Sequence, residues 1–232
     1  MLFRKRKNKI FALRIRSELP KSTALSVSPG ISGLFPQQHY QDEYLSKNSV
    51  IIAGPNGSGK STFAQEYLKV YNCEYLGADD IAVELAPDRL LEVRFQAGRI
   101  FFQRLSALIR QGKNLLIEST ISGRGFQGIM RRLKKAGYSI TILFLFLETS
   151  DVCIARVKGR IRKGGHDVPE ADIVRRFTRS KNNFWNIFKN QADHWYLFYN
   201  TEYFQQVAFG EGDNYTVNEE ELFDLFIQDI RG

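Results

Sequence analysis

The pattern that most constrains this chain is Gly54-Pro55-Asn56-Gly57-Ser58-Gly59-Lys60-Ser61, which fits G-x-x-x-x-G-K-[ST]. It follows Val50-Ile51-Ile52-Ala53, an apolar run rich in β-branched residues that reads as a buried strand. It precedes Lys60 to Tyr71, which reads as a helix with Phe63, Tyr67, Leu68 and Val70 as core positions. In that setting each residue type has a physical task. The glycines permit positive φ and let amide N–H groups approach phosphate oxygens. The helix presents its unbonded N–H groups and positive dipole end to the same anion. Lys60 brings a compact positive charge to the β- and γ-phosphates, and the Ser61 hydroxyl is a hard ligand for Mg²⁺. Gly54 through Thr62, including Pro55, Asn56, Gly57, Ser58 and Gly59, are therefore the expected nucleotide-binding set, with ATP and Mg²⁺ as the expected ligands. The loop alone leaves open whether the phosphate goes to water or to a second substrate.

The rest of the chain from Ser49 onward alternates strands with helices. Cys73 to Leu76, Leu115 to Glu118, Tyr138 to Leu147 and His194 to Tyr199 read as strands. Ile81 to Leu85 reads as a short helix stopped by Pro87. Asp88 then caps a long helix to about Arg110, with Leu91, Phe95, Ile100, Phe102, Leu105 and Ile109 as its apolar residues and Gly112 as its stop. Phe126 to Ala136 is a helix closed by Gly137. Ser150 or Asp151 caps another to about Arg162, Pro169 opens one to about Phe188, and Glu219 to Ile230 is an amphipathic terminal helix. This order predicts an α/β fold of the P-loop NTPase type: a mainly parallel sheet with helices on both faces, plus a helical lid over about 156–181.

In such a sheet the C-terminal ends of the strands gather around the ligand. Gly77-Ala78-Asp79-Asp80 follows the second strand, so Asp79 is placed to take a proton from an attacking hydroxyl. Capping of the short helix is the other role open to Asp79 or Asp80. Glu118, at the end of the third strand, suits Mg²⁺ held through water or contact with the acceptor; a plain strand-end polar group is the simpler alternative. Thr120 and Ser122 offer hydroxyls to the acceptor. Arg156 to Lys181 holds nine basic residues against three acids. Arg156 and Arg160 share one helix face and are positioned to close over a nucleotide, one on the base and the other toward the γ-phosphate. Arg175 and Arg176 return from the far arm, and His166 is a candidate hydrogen-bonding residue of the lid. A solvated basic face and a nucleic-acid contact are the competing readings of this segment.

The formal net charge of +8 invites a nucleic-acid reading until it is partitioned. Residues 1–40 carry eight bases and one acid, whereas residues 41–232 carry a net +1. The body is polarised, with nine acids against Arg231 alone from Asp193 onward. Residues 1–45 are expected to form a disordered basic extension, with targeting-peptide composition but no secretory apolar stretch, and residues 46–232 one domain. Nucleic acid is thus not the expected partner. The longest apolar run, Ile140 to Leu147, contains Thr141 and is too short to span a membrane. Cys73 and Cys153 lack metal spacing and a disulfide framework, which suits a reducing, cytoplasmic setting.

Taken in order, IIAGPNGSGKST, GADDIA, QAGR, IESTISG and ARVKGRIRKGGHDVPEADIVRRF resemble the small zeta-toxin-like P-loop kinases over about residues 49 to 190. The GGHDVP segment with its flanking arginines narrows the resemblance. It implies ATP-dependent phosphorylation of a small-molecule acceptor, in that family UDP-N-acetylglucosamine, a nucleotide sugar, and an antitoxin protein as partner. Carried onto this chain, it makes Lys60 and Ser61 the phosphate and Mg²⁺ positions and Asp79 the base. Arg160 or Arg162, with Arg175 or Arg176, become the lid arginines, and Glu118 and Thr120 the acceptor region. The chain differs from the longer toxins in being compact after the lid and in its basic tail. A nucleotide-driven switch or ATPase, and a nucleic-acid-binding protein using that tail, are the alternative functions.

Overall fold

The computed structural model describes residues 47–230, apart from 88, 163, 166 and 202 and the side chains of Leu90 and Leu91. The basic extension, the expected cap Asp88 and the lid candidate His166 therefore lie outside the described residues, as does the side chain of Leu91. The elements run β1 (Lys47–Ala53), α1 (Lys60–Val70), β2 (Glu74–Gly77), α2 (Ala78–Leu85), α3 (Leu90–Arg110), β3 (Leu115–Ser119), α4 (Phe126–Lys135) and β4 (Tyr138–Phe146). They continue with α5 (Ser150–Ile161), α6 (Glu170–Asn183), a π-turn (Phe184–Phe188), β5 (His194–Asn200), β6 (Phe204–Glu211), β7 (Asn214–Val217) and α7 (Glu220–Gln228).

The sheet has seven strands in the order β2-β3-β1-β4-β5-β6-β7. The first five are mutually parallel, and β6 and β7 add on antiparallel. The parallel strands are buried on both faces, which is why they read as near-continuous apolar runs. Their two-residue period splits the core. Ile51, Ile117, Ile142 and Phe144 join one cluster with Phe101 and Leu105 of α3, Ile129 and Leu133 of α4, and Phe226 of α7. Ile52, Leu116, Leu143 and Leu145 face the other way, against Phe63 and Ala64 of α1. Helices thus cover both faces, as expected. A third cluster joins Leu147 to Cys153 and Val157 of α5 and Ile173 and Phe177 of α6.

Several local expectations change. Thr149 caps α5, its Oγ1 accepting the Val152 N–H at 3.3 Å, in place of Ser150 or Asp151. On α1, Leu68 and Val70 are exposed, and Ala64 takes the buried position beside Phe63. On α3, Phe95 and Phe102 are exposed, while Ala97, Phe101 and Leu105 are buried at four-residue steps. Composition favoured the larger rings, but the helix face is set by the sheet beneath it. The β6–β7 hairpin went unread. Its signal is Gly212-Asp213, a two-residue turn with Gly212 at φ 54, flanked by alternating residues.

Beyond α6 the helix widens to a π-turn, with Lys189 N–H donating to Phe184 O at 2.9 Å. This brings both Phe184 and Phe188 fully into the core, where Phe184 stacks on Phe144 at 4.4 Å between centroids. Lys181, expected on a basic lid face, is instead fully buried. Its ammonium pairs with Asp229 and lies over the rings of Phe146, Phe177 and Phe226.

The start of β5 is held by Asp193, which accepts from Ile140 N–H at 2.7 Å and pairs with Lys134 of α4. Burial pushes its carboxyl up, but these two donors outweigh that and hold it below its ordinary value. The stabilisation is therefore complete above the unfolded carboxyl's range and is lost as pH falls through the folded one. Asp193→Asn should cost about 1 kcal/mol at pH 7, since the pair is partly screened, and much less at pH 3, read from urea melts at both values.

Candidate active site

The phosphate-binding pattern forms the turn between β1 and α1, and its glycines are required by what surrounds them. Gly54 has φ 143, and a Cβ there would meet Leu145 O at 2.1 Å. Gly57 has φ 81 with Cys153 O as close neighbour, and Gly59 has φ 92 at the helix N-cap. The loop is thus pressed between the end of β4, the first turn of α5 and the end of β5. Asn200, the last residue of β5, donates from Nδ2 to Ser58 O at 2.8 Å in a buried position. The reading from sequence missed this anchor. Its signal was a lone amide at the C-terminal end of an otherwise aromatic and apolar strand. Asn200→Ala leaves a buried carbonyl without its donor, and should weaken nucleotide affinity by about tenfold with little change in fold, measured by titration with a fluorescent ATP analogue.

Lys60 is buried, and its Nζ donates to Pro55 O at 3.0 Å, so the loop closes on its own ammonium. Burial draws its pKa down; Glu118 and Asp79 pull it back up, and Arg160 adds to the lowering. Two carboxylates and an arginine from three other elements are therefore within electrostatic reach of Lys60. Ser61 donates from Oγ to Glu118 Oε1 at 3.0 Å. These are hard oxygen donors of the kind Mg²⁺ takes, and together they fit such an ion. Thr62 is exposed on the first turn of α1.

The acceptor-side pair is now separated. Asp80 Oδ2 accepts from the Tyr75 hydroxyl at 2.6 Å, and that hydroxyl also lies 3.0 Å from Glu118 Oε2. Burial, with the two carboxylates, pushes the Tyr75 phenol far above its ordinary range, so it stays a neutral donor. Asp79 lies exposed in the first turn of α2 and is the member whose charge reaches Lys60. Tyr75 is a second residue the sequence reading passed over; its signal is strand alternation, two residues before Gly77. Thr120 and Ser122 bring their hydroxyls to 3.0 Å from each other beyond Glu118.

The members of each arginine pair are placed differently. Arg160, on α5, is half-buried near Lys60, whereas Arg162 is exposed in the turn after the helix. Arg176 donates to Asn56 Oδ1 of the loop at 3.3 Å and lies 3.6 Å from Asp172, which Arg175 pairs with at 2.6 Å. Helix geometry explains both choices. Arg160 is three residues after buried Val157, and Arg176 three after buried Ile173, so each shares the inward side of its helix. Arg156 turns elsewhere, donating to Thr201 O beyond β5 at 2.7 Å. Cys153 is buried, which pushes its thiol up to about 12 and makes it a packing group rather than a nucleophile.

A strand, a glycine loop closed on a buried lysine, and strand-end carboxylates beside it define a P-loop protein of nucleotide-binding, kinase-like fold. Residues 50–179 match the family model described as AAA domain (AAA_33), and the chain belongs to that P-loop family. Its fold is that of the zeta-toxin-like P-loop kinases. An uncharacterized protein of Haemophilus influenzae is 28% identical over 134 residues, which is 56% of this chain and 92% of that protein. The AvrRxo1-ORF1:-ORF2 structure with ATP superposes at a TM-score of 0.65 with 14% identity, over 81% of this chain and 65% of that one. The PezAT toxin–antitoxin system of Streptococcus pneumoniae superposes at 0.59 with 15% identity, over 95% of this chain and 86% of that one. At these identities the likeness is one of fold. Among the described residues no helix is long and apolar enough to cross a membrane.

Proposed function

We propose that the protein is an ATP-dependent kinase that moves the γ-phosphoryl group to a hydroxyl of a small acceptor. The observation that carries this is the pair of carboxylates at neighbouring strand ends beside the loop: Glu118 accepts from Ser61 at 3.0 Å, and Gly77, two residues before Asp79, is in register with Glu118. The lysine, the loop and a metal ligand suffice to clamp a triphosphate; a second carboxylate at the adjoining strand end can take the proton of an attacking hydroxyl. In the reaction, the acceptor oxygen bonds to the γ-phosphorus, the bond to the β-bridging oxygen breaks, ADP leaves, and the hydroxyl proton passes to Asp79. Lys60, Arg160 and Arg176 neutralise charge on the transferring group. Ser61 and Glu118 would hold Mg²⁺, which would supply further charge neutralisation on the phosphates. Glu118, Thr120 and Ser122 face the acceptor.

The structure that carries ATP in the AvrRxo1 complex supports ATP as donor. The toxin–antitoxin relative supports an antitoxin as partner. UDP-N-acetylglucosamine, implied only by the resemblance of the sequence motifs, is the first acceptor to try. The setting proposed is cytoplasmic, where ATP is abundant. A second reading, ATP hydrolysis driving a switch, is favoured by membership of the AAA-domain family and by 24% identity to ClpX 2 of Wolinella succinogenes over 31% of that protein. One experiment separates them. The protein is incubated with γ-labelled ATP and a panel of nucleotide sugars, nucleosides and RNA 5′ ends. Label transferred to one acceptor supports the kinase; label released only as free phosphate, whatever is added, rejects it in favour of the ATPase.

A further inference from the structure

Ile121 is the one non-glycine residue with positive φ among the described residues, at φ 45. A β-branched residue there is strained, and such strain persists only where the surroundings over-determine it. Here they do. The Ile121 side chain is 2% exposed in the main core. Its N–H donates to Ser119 Oγ at 3.1 Å, and its carbonyl accepts from Asn183 Nδ2 at 2.9 Å. The strained turn sits between Thr120 and Ser122, so it sets where the acceptor-side hydroxyls point as the chain leaves Glu118.

Asn183 is the last residue of α6, and Arg176, which donates to Asn56 of the phosphate loop, is on the same helix two turns earlier. Residues at that separation share a face. One face of one helix therefore touches the phosphate loop near its middle and the acceptor loop at its end. Between these contacts the helix is braced along its length: Phe177 packs with α5, and buried Lys181 is paired to Asp229 within its cage of rings. A helix held this way shifts as a body, and does not absorb a displacement by bending.

We propose that Asn183 is a positioning residue through which nucleotide binding sets the acceptor loop. The proposal rests on the reading of Gly54 to Ser61 as a nucleotide site. When an anion fills the loop, Arg176 exchanges its contact with Asn56 for the phosphate, α6 moves with it, and Asn183 transmits the shift to the Ile121 carbonyl. Residues 119–124 then take the geometry in which Thr120 and Ser122 meet the acceptor. Linkage makes the effect reciprocal, so a bound acceptor raises nucleotide affinity by the same factor.

Hydrogen exchange on the full chain tests this without knowledge of the acceptor, using Mg²⁺ with AMP-PCP as the probe. The variants are N183D, which keeps the shape but cannot donate to a carbonyl, and N183A. In the unsubstituted protein the amides of residues 119–124 should exchange about tenfold more slowly when the analogue is bound. In both variants that response should fall below about twofold, with analogue affinity without acceptor changed by less than about threefold and exchange in β1 and β4 unchanged. A full tenfold response in N183D overturns the proposal, as does faster exchange spread evenly over β1 and β4, which would mark Asn183 as merely structural. Analogue binding with no response in residues 119–124 of the unsubstituted protein overturns this proposal alone. Failure of the analogue to bind at all overturns the nucleotide reading and this inference with it.

Discussion

Asp79→Asn should leave Mg·ATP bound and slow phosphoryl transfer by about 10²–10⁴-fold, the range a positioned general base supplies. The substitution keeps the side chain's shape and removes only its ability to accept the hydroxyl proton. Asp79 is the right target because its neighbour is already engaged: the Tyr75 hydroxyl holds Asp80 at 2.6 Å, whereas Asp79 stands exposed in the first turn of α2 with its charge felt at Lys60. Asp80→Asn is the companion measurement and should cost far less in turnover. The pair is read by single-turnover transfer from γ-labelled ATP, with nucleotide affinity followed separately. Transfer by the Asp79 variant within tenfold of the unsubstituted protein would remove Asp79 from the mechanism.

Lys60→Ala should lower turnover of ATP by about 10²–10³-fold whether the phosphate goes to an acceptor or to water. The cause is local electrostatics. Lys60 is the buried cation opposite Glu118 and Asp79, and without it those carboxylates repel the phosphates they are meant to flank. The loop also loses the bond from Nζ to Pro55 O that closes it. Lys60→Met keeps most of the packing volume and should be equally inactive, which separates charge from cavity. Unchanged ATP turnover in the Met variant would sink the phosphate-loop reading altogether. Together the two substitutions divide the site: one abolishes use of the triphosphate, the other only its delivery.

Much of this was legible in the chain. Val50 to Ala53, Leu115 to Glu118 and Tyr138 to Leu147 read as strands because a parallel sheet buried on both faces demands apolar runs, and they are strands, the first starting three residues earlier and the others within one residue. The glycine loop was legible because positive φ and close backbone approach leave few other residue types possible. The α3 face was legible only in part: Leu105 is in the core and Ile100 and Ile109 pack against it, as expected. Phe95 and Phe102 suggested a helical stripe, yet the buried positions are Ala97, Phe101 and Leu105, because the neighbouring strands leave room for small and large side chains in a particular order. Lys181 reads as a surface charge in any local pattern. Only the meeting of α6, β4 and α7 builds the cage of Phe146, Phe177 and Phe226 that holds it, with Asp229 to balance the charge.

By itself, then, the amino-acid order determined the α/β fold, the loop and the residue types that gather at the strand ends. Those are consequences of periodicity and of local backbone geometry, which act over a few residues. The tertiary structure alone decided how the members of each pair are placed: Asp80 on the Tyr75 hydroxyl and Asp79 exposed, Arg160 half-buried and Arg162 exposed, Arg176 on Asn56 of the loop and Arg175 on Asp172. It also supplied Asn200 beneath the loop and Asn183 behind the acceptor turn, bonds that span 142 and 62 residues of chain. Adjacent residues on a helix differ by about 100° in direction, so their roles depend on how the whole helix is rotated against the core. That rotation is set by contacts far away in the chain, which no local pattern contains.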